Sequence, residues 1–187
     1  VEVGLKFRAD IAGYVTGVRY FKGPGSTGTH IGRLWSMGKE KLAEVTFTNE
    51  TASGWQEALF SPPVAIQPNT TYIISYYVAD GNRMLAISQN YFTSSGETNG
   101  HLYAIANNDL DGPNGVFSDT GGWFNQSNLS SNYWVDLIFD DTPDTIPPTV
   151  TSVLPTDGAT GVFASTNVSI VFSEAMDAST INGTTFV

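Results

Sequence analysis

Hydrophobic and polar residues alternate along most of the chain with a period of two residues. The alternation is clearest in four runs, which are residues 14–21, 43–48, 71–79 and 132–139. In the first run, Thr16, Val18 and Tyr20 are expected to share the face that points to the core. Such alternation is typical of half-buried β-strands, and no stretch shows the 3.6-residue period of an amphipathic helix. The pattern therefore predicts a succession of strands.

Turn-forming residues separate these runs. Breaks rich in Gly, Pro and Asn occupy residues 22–28, 61–63, 79–82 and 108–115. Gly and Asn adopt positive φ readily and Pro presets the first turn residue, so these segments favour tight turns. Short strands joined by such turns predict an all-β protein, with an antiparallel, jelly-roll-like β-sandwich over residues 1–141.

A Pro-rich segment, residues 142–148, is interpreted as a linker between two domains. Beyond it, apolar runs at 150–155 and 167–173 predict two more strands. Residues 149–187 number only 39, whereas an immunoglobulin-type sandwich needs about 100. We therefore expect an incomplete Ig-like β-sandwich, whose missing strands come from a longer parent protein or from a neighbouring chain.

Composition narrows the class of protein. The chain has 187 residues, a net charge of −10 and no Cys, and none of its apolar runs reaches the length of about 20 residues that a membrane helix needs. A strongly acidic chain does not favour nucleic acid, which binds clustered Lys and Arg. We accordingly expect no nucleic-acid partner and no membrane insertion.

The charges are unevenly distributed. All eight Lys and Arg residues lie within residues 6–83, whereas residues 84–187 contain eleven Asp and Glu and no Lys or Arg. From this separation, the acidic residues of the second part are not expected to serve in salt bridges. They are interpreted as a solvated surface or, for some of them, as ligands of a divalent cation.

A loop with closely spaced oxygen side chains is the candidate for that cation. Asn108, Asp109, Asp111 and Asn114 lie in one Gly-bearing segment, which suggests a bound Ca²⁺ with backbone carbonyls completing the shell. The alternative is an Asx-turn, in which these side chains cap their own backbone.

Aromatic residues in loops are the candidates for ligand binding. A flat aromatic ring stacks on the apolar face of a sugar while amides and carboxylates bind its hydroxyls. Trp35 and Trp134 are assigned to the core, whereas Trp55 and Trp123 follow turns, and loops are expected to present their side chains outward. The predicted ligand-binding residues are Trp123, Phe124, Asn125 and Gln126, with His101 at the mouth of a following strand.

Catalytic signatures are missing from the sequence. There is no Cys, the two histidines, His30 and His101, are 71 positions apart, and neither H-E-x-x-H nor G-x-S-x-G occurs. His30 is expected to make a structural hydrogen bond in its Gly/Thr-rich loop. We therefore predict no catalytic residues and no enzymatic activity.

Three segments carry a family resemblance. KGPGSTGTHIGRLWS (22–36), the run at 49–78 and NYWVDLIF (132–139) resemble an uncharacterised bacterial family, domain of unknown function 4082, over about residues 1–140. IPPTVTSVLPTDGATGV (146–162) with NVSIVFSEAMD (167–177) is similar to the first part of a bacterial Ig-like domain of S-layer-associated proteins. The resemblance implies an extracellular or cell-surface location, a β-sandwich and no catalytic activity, and it transfers no functional residue. It also suggests that the chain is a fragment of a longer protein.

Taken together, the sequence favours a non-catalytic extracellular module that binds carbohydrate, such as a cell-wall polysaccharide, or that mediates adhesion. The alternative is a structural spacer or fibre subunit, assembled with neighbouring copies or tandem Ig-like domains by strand addition. A glycan-active enzyme is the remote alternative.

Overall fold

The computed structural model describes residues 1–79, 81, 83–142, 148–173, 176 and 181. Within these ranges the chain forms β-strands and no α-helix. The strands in chain order are β1 (Glu2–Ala9), β2 (Gly13–Lys22), β3 (His30–Ser36), β4 (Lys41–Thr46), β5 (Gly54–Ile66), β6 (Tyr72–Val78), β7 (Glu97–Asn99), β8 (Leu102–Ala104), β9 (Val116–Ser118), β10 (Gln126–Ser127), β11 (Val135–Asp140), β12 (Val150–Leu154) and β13 (Ser169–Phe172). No helix long and apolar enough to cross a bilayer occurs in the described part of the chain.

The chain divides into two compact units, residues 1–143 and 144–187. In the first unit, a larger sheet has the strand order β10-β9-β1-β6-β3-β4, with β8 also paired to β1 and β7 paired to β8. A smaller sheet has the order β11-β2-β5. All the pairings are antiparallel, which confirms the predicted β-sandwich.

The main core lies between the two sheets. Tyr20 of the smaller sheet stacks on Tyr76 of the larger one, with ring centroids 4.4 Å apart, and both rings are 1% exposed. A second, smaller cluster on the other face of β6 joins Trp35, Ile73, Val116 and Phe124. Because β6 is covered on both faces, its residues are apolar at nearly every position. The assignment of Trp35 to the core is confirmed.

Two details differ from the sequence-based expectation. The pairing of β2 with β5 shifts register between Val15 and Gly17, so that Val15 is fully buried while Thr16 is only half-buried and donates to the Ile138 carbonyl. A bulge of this kind inserts an extra residue and moves the next side chains to the other face. The predicted strand at 132–139 begins only at Val135.

The second unit contains one antiparallel pair, β12 with β13, among its described residues. Its apolar side chains are largely exposed, including Leu154 at 60% and Val171 at 52%. Both strands lie within the runs predicted from the sequence. Most of residues 174–187, the end of the predicted Ig-like domain, lie outside the described residues.

Candidate functional site

A groove opens at the edge of the sandwich, where β8 and the loop before β7 approach β11 of the smaller sheet. Its volume is about 300 Å³. Apolar side chains of both sheets form its floor, because each strand directs alternate residues between the sheets. These residues are Leu5, Phe7, Leu102, Ala104, Val135 and Leu137.

Three aromatic side chains stand at this groove. Trp55 lies on the outward-facing row of β5 and is 47% exposed, and Tyr91 is 37% exposed. Trp134 has a φ of 51°, a conformation that bulky residues rarely adopt. Its backbone N–H donates to Asn132 Oδ1 at 2.7 Å and its indole N–H donates to Ser88 Oγ at 3.1 Å. These bonds hold the indole at the groove, with its ring 5.9 Å from that of Tyr91.

Polar groups converge on the same groove. Arg19 donates from Nε at 3.1 Å and from Nη2 at 2.6 Å to Oδ2 of Asp136, its neighbour across the β2–β11 pair. The guanidinium carbon of Arg19 lies 5.1 Å from the centroid of the Trp55 ring, a cation–π distance. Glu97, Asn99 and Asn132 add further donors and acceptors to the lining. Partial burial, together with the charge and hydrogen bond of Glu97, raises the pKa of Tyr91.

The groove continues past Arg19 into a second depression of about 450 Å³. The two share Arg19, Asn99, Leu102 and Leu137. At the far end, His101 lies in the turn between β7 and β8, with Nδ1 2.7 Å from Asp10 Oδ1 and Nε2 3.9 Å from Asp141 Oδ2. His101, predicted as a ligand-binding residue, thus lines the end of this groove.

The other predicted ligand-binding residues lie elsewhere. Trp123 is half-buried and carries the Lys39 ammonium 5.8 Å from its ring centroid, while Asn125 and Gln126 are exposed. Phe124 is only 7% exposed and packs edge-on against Trp35, so the expectation that this loop directs Phe124 outward is wrong. The loop turns back because Gly121 and Gly122 adopt φ values of 81° and 80°, which place the following ring in the second core cluster. None of these four residues lines the groove that His101 closes.

The predicted calcium loop is held by hydrogen bonds within the protein. Asp109 Oδ2 accepts from the Tyr103 hydroxyl and from the Ala106 N–H, each at 2.8 Å. Asp111 accepts from Thr71, and Asn114 is fully buried.

Asn114 ties the loop to β1. Its Oδ1 accepts from the Lys6 and Gly115 N–H groups, and its Nδ2 donates to the Lys6 and Ile105 carbonyls. Asn108 is exposed. In the described ranges no group of three His, Cys, Asp or Glu side chains is arranged to hold a metal ion. Calcium binding here stays a prediction, and these contacts favour its alternative, in which the side chains cap their own backbone.

Acidic residues of the second part of the sandwich do form salt bridges. Asp136 pairs with Arg19, and Asp109 Oδ2 lies 3.6 Å from Arg8 Nη2. The expectation that these acidic residues are not used in salt bridges is therefore wrong. Antiparallel pairing brings β11 and β8, which follow residue 84, beside β2 and β1, so charges that are separated in sequence meet in the fold.

Comparison with protein families agrees with this architecture. Residues 1–135 match the model of a domain of unknown function (DUF4082), which covers most of the chain. The chain belongs to this family. Residues 144–187 match a bacterial Ig-like domain, a type that occurs in surface and secreted proteins. The order of the two matches confirms the resemblance stated from sequence motifs. No curated protein and no solved structure matches the chain.

One cluster in the DUF4082 domain has the order of a hydrolase triad. Ser26 Oγ lies 3.0 Å from His30 Nε2, and His30 Nδ1 lies 3.0 Å from Glu50 Oε1. The other oxygen of Glu50 accepts from Tyr20 at 3.0 Å and from Lys22 at 2.6 Å.

A nucleophile must reach its substrate, and here access is missing. Ser26 is 5% exposed and His30 is 0% exposed. Neither lines the groove or its continuation. The cluster is a closed polar network that joins the loop after β2 to β3, and it contains the hydrogen bond predicted for His30.

The sequence predicts only part of the lining of the groove in the DUF4082 domain. Trp134 was assigned to the core, and neither Trp55 nor Tyr91 was selected. The alternation of Trp55, Glu57 and Leu59 with Gln56, Ala58 and Phe60 was the available signal, since it places Trp55 on the outward row of β5. No local pattern indicates that the loop carrying Tyr91 crosses to β11 and meets Trp134.

Proposed function

We propose that the DUF4082 domain is a carbohydrate-binding module of an extracellular bacterial protein and that the glycan lies in the groove. One observation carries the proposal: Trp55, Tyr91 and Trp134 remain accessible beside an apolar floor, and Arg19, Asp136 and Asn132 line the same groove. Rings that stack on sugar C–H faces, next to groups that bind hydroxyls, are the two components of such a site. The accompanying bacterial Ig-like match supports an extracellular setting.

The shape of the groove favours a chain of sugars over a single one. The two connected depressions run from Trp55 and Trp134, past Arg19, to His101. An elongated groove binds successive units of a polymer, each with its own contacts. In this arrangement the indole of Trp134 is fixed by Ser88 and Asn132, so little side-chain entropy is lost when a sugar packs on it.

The charges of the groove favour a glycan without acidic groups. Its lining contains Glu57, Glu97, Asp136, Asp140 and Asp141, and Arg19 is the one Lys or Arg among the lining residues. A carboxylated sugar there would place like charges close together, which costs affinity. Neutral hydroxyl-rich polysaccharides are therefore the proposed ligands.

The test is a glycan array probed with the full chain, followed by titration of the best neutral oligosaccharide. Trp55→Ala is expected to weaken binding about tenfold, or roughly 1.4 kcal/mol, because it removes one stacking surface. Trp123→Ala serves as the matched control, since its ring lies outside the groove and its binding is expected to equal that of the wild type. Loss of binding in the Trp123 variant alone would move the site to the 121–126 loop. The proposal would be overturned if the chain bound none of the neutral glycans at millimolar concentration.

Assembly by strand addition is a second proposal, and it concerns the bacterial Ig-like segment. The described strands of that unit form a single pair with exposed apolar residues, including Val150 at 53% and Val171 at 52%. Strand pairs of this kind gain stability when further strands pair with their edges and cover their faces. Light scattering over a concentration series tests the idea. A mass that rises with concentration supports it, and a constant monomer mass contradicts it.

A further inference from the structure

A second depression lies on the larger sheet, away from the groove. Its volume is about 400 Å³, and β3, the β3–β4 turn, β6 and the loop after β9 contribute to it. The lining residues are Arg33, Trp35, Lys39, Lys41, Tyr77, Thr120, Gly121 and Gly122. Three of the eight basic residues of the chain are therefore gathered here, and no carboxylate is among the lining residues.

Two of the three cations are already partly neutralised. Arg33 donates to Glu2 and to Glu44, each at 2.7 Å, and Lys41 donates to Glu44 at 2.7 Å. Burial by itself would lower the pKa of Arg33, but the hydrogen bonds and charges of Glu44 and Glu2 outweigh it and raise the pKa. Lys39 differs, because it forms no ion pair with any described residue. The site thus carries one uncompensated positive charge.

The backbone holds Lys39 in position. Lys39 has a φ of 73°, and its N–H donates to the Ser36 carbonyl at 3.1 Å within the β3–β4 turn. The turn directs the ammonium to the face of Trp123, 5.8 Å from the ring centroid. Trp123 in turn packs against the buried Phe124. A cation placed in this way has lost part of its freedom before any ligand arrives.

The opposite wall is backbone without side chains. Gly121 and Gly122 have positive φ values, and a Cβ at Gly121 would lie 2.6 Å from the Tyr77 ring. A Cβ at Gly122 would meet no atom within 4 Å, so this position faces open space. The Gly122 N–H donates to the buried carboxylate of Glu2 at 2.6 Å, which anchors the wall to the sheet. The depression is consequently both open and rigid.

We propose that this depression binds a sugar unit carrying one anionic group, with Lys39 and Lys41 on the anion and the ring of Tyr77 beside the sugar. The chemistry is that of a carboxylated or a phosphorylated sugar. One anionic group is preferred to a dense polyanion, because the chain as a whole is negative by ten charges and repels polyanions at long range. The site is distinct from the groove, whose lining is acidic, and does not depend on glycan binding there.

The experiment follows the backbone amide signals of the full chain by NMR during titration with galacturonic acid, galactose 6-phosphate and galactose. Galactose is the neutral counterpart of both anions. The amides of Lys39, Gly121 and Gly122 are expected to shift with the anions and not with galactose. Raising the salt concentration from about 0.02 to about 0.3 M is expected to weaken the effect, since an exposed charge is screened. A response to only one of the two anions supports the proposal and identifies the source of the charge.

Two variants make the test specific. Lys39→Gly suits the positive φ and removes the ammonium, so it is expected to fold and to weaken anion binding about fivefold. Lys39→Arg keeps the charge and is expected to keep binding. Arg83→Gln changes net charge equally, and Arg83 is an exposed residue that lines neither the groove nor this depression, so anion binding is expected to match the wild type. Unshifted amides with both anions, equal shifts with galactose, equal affinity in Lys39→Gly, or an equal loss of affinity in Arg83→Gln would each overturn the proposal.

Discussion

The polar network around Glu50 and the groove beside Trp55 are built from the same kinds of side chain, but they differ in their access to solvent. In the network, His30 is fully buried and Glu50 has partners on both carboxylate oxygens. In the groove, Asp136 is bound by Arg19, while Trp55 leaves nearly half of its surface exposed. The side chains of the network are nearly enclosed, whereas those of the groove leave aromatic surface and hydrogen-bonding groups accessible to solvent.

This contrast shows why residue types alone do not identify an active site. Ser26, His30 and Glu50 have the order of a catalytic triad, but Ser26 and His30 are buried by the surrounding packing. The groove, in contrast, contains no such constellation, and its aromatic side chains at a sheet edge are typical of recognition. The proposed function therefore rests on accessible aromatic surface and not on a hydrogen-bond motif.

The largest effect is expected from breaking the closed network. Glu50→Ala removes the acceptor of Lys22, Tyr20 and His30 at once, and loss of one partner from a buried ion pair costs about 3–5 kcal/mol. Urea denaturation measures the change. Glu44→Ala is the control, because its side chain is 38% exposed and its ion pairs contribute about 1 kcal/mol or less. Similar losses of unfolding free energy in Glu50→Ala and Glu44→Ala would contradict the expected difference between a buried and an exposed cluster.

Alkaline pH tests the burial of the polar network and its surroundings through two tyrosine side chains. Burial, followed by the charge and hydrogen bond of Glu50, raises the pKa of Tyr20, and burial raises the pKa of Tyr76. A tyrosine whose pKa is higher in the folded protein than in the unfolded chain, where it is about 10, stabilises the fold at lower pH. This contribution to the free energy of unfolding is lost as the pH rises beyond about 10. We expect the thermal unfolding midpoint to decrease as the pH is raised beyond about 10. The Tyr20 and Tyr76 rings are expected to form tyrosinate only when the chain unfolds. Ultraviolet absorbance and circular dichroism, recorded together, test this. Full ionisation of all tyrosines in a folded chain would contradict it.

Chelation is expected to have the smallest effect. Asp109, Asp111 and Asn114 already have partners within the protein, so EDTA should move the melting temperature by no more than about 1 °C. The measurement compares melting in EDTA with melting in excess Ca²⁺. A clear rise with Ca²⁺ would instead support the predicted calcium site and would require Asp109 and Asp111 to exchange their partners.

The fold was largely predictable because strand alternation is a local property. Residues 71–79 contain the whole of β6, and turn residues mark its ends. The groove was less predictable because it depends on distant segments meeting. Trp134 reaches it through a positive φ and a bond to Ser88, and Arg19 finds Asp136 only after β2 and β11 pair. Phe124 was predicted to be exposed because strand alternation does not show that a second hydrophobic cluster covers the other face of β6.

The most direct test of the groove as the glycan site uses the four tryptophan side chains. Their indole N–H groups give one NMR signal each, and the four residues are Trp35, Trp55, Trp123 and Trp134. On titration with a neutral oligosaccharide selected from the array, the signals of Trp55 and Trp134 are expected to move together. Those of Trp35 and Trp123 are expected to stay in place. Movement of Trp123 with Trp55 and Trp134 unchanged would contradict the account.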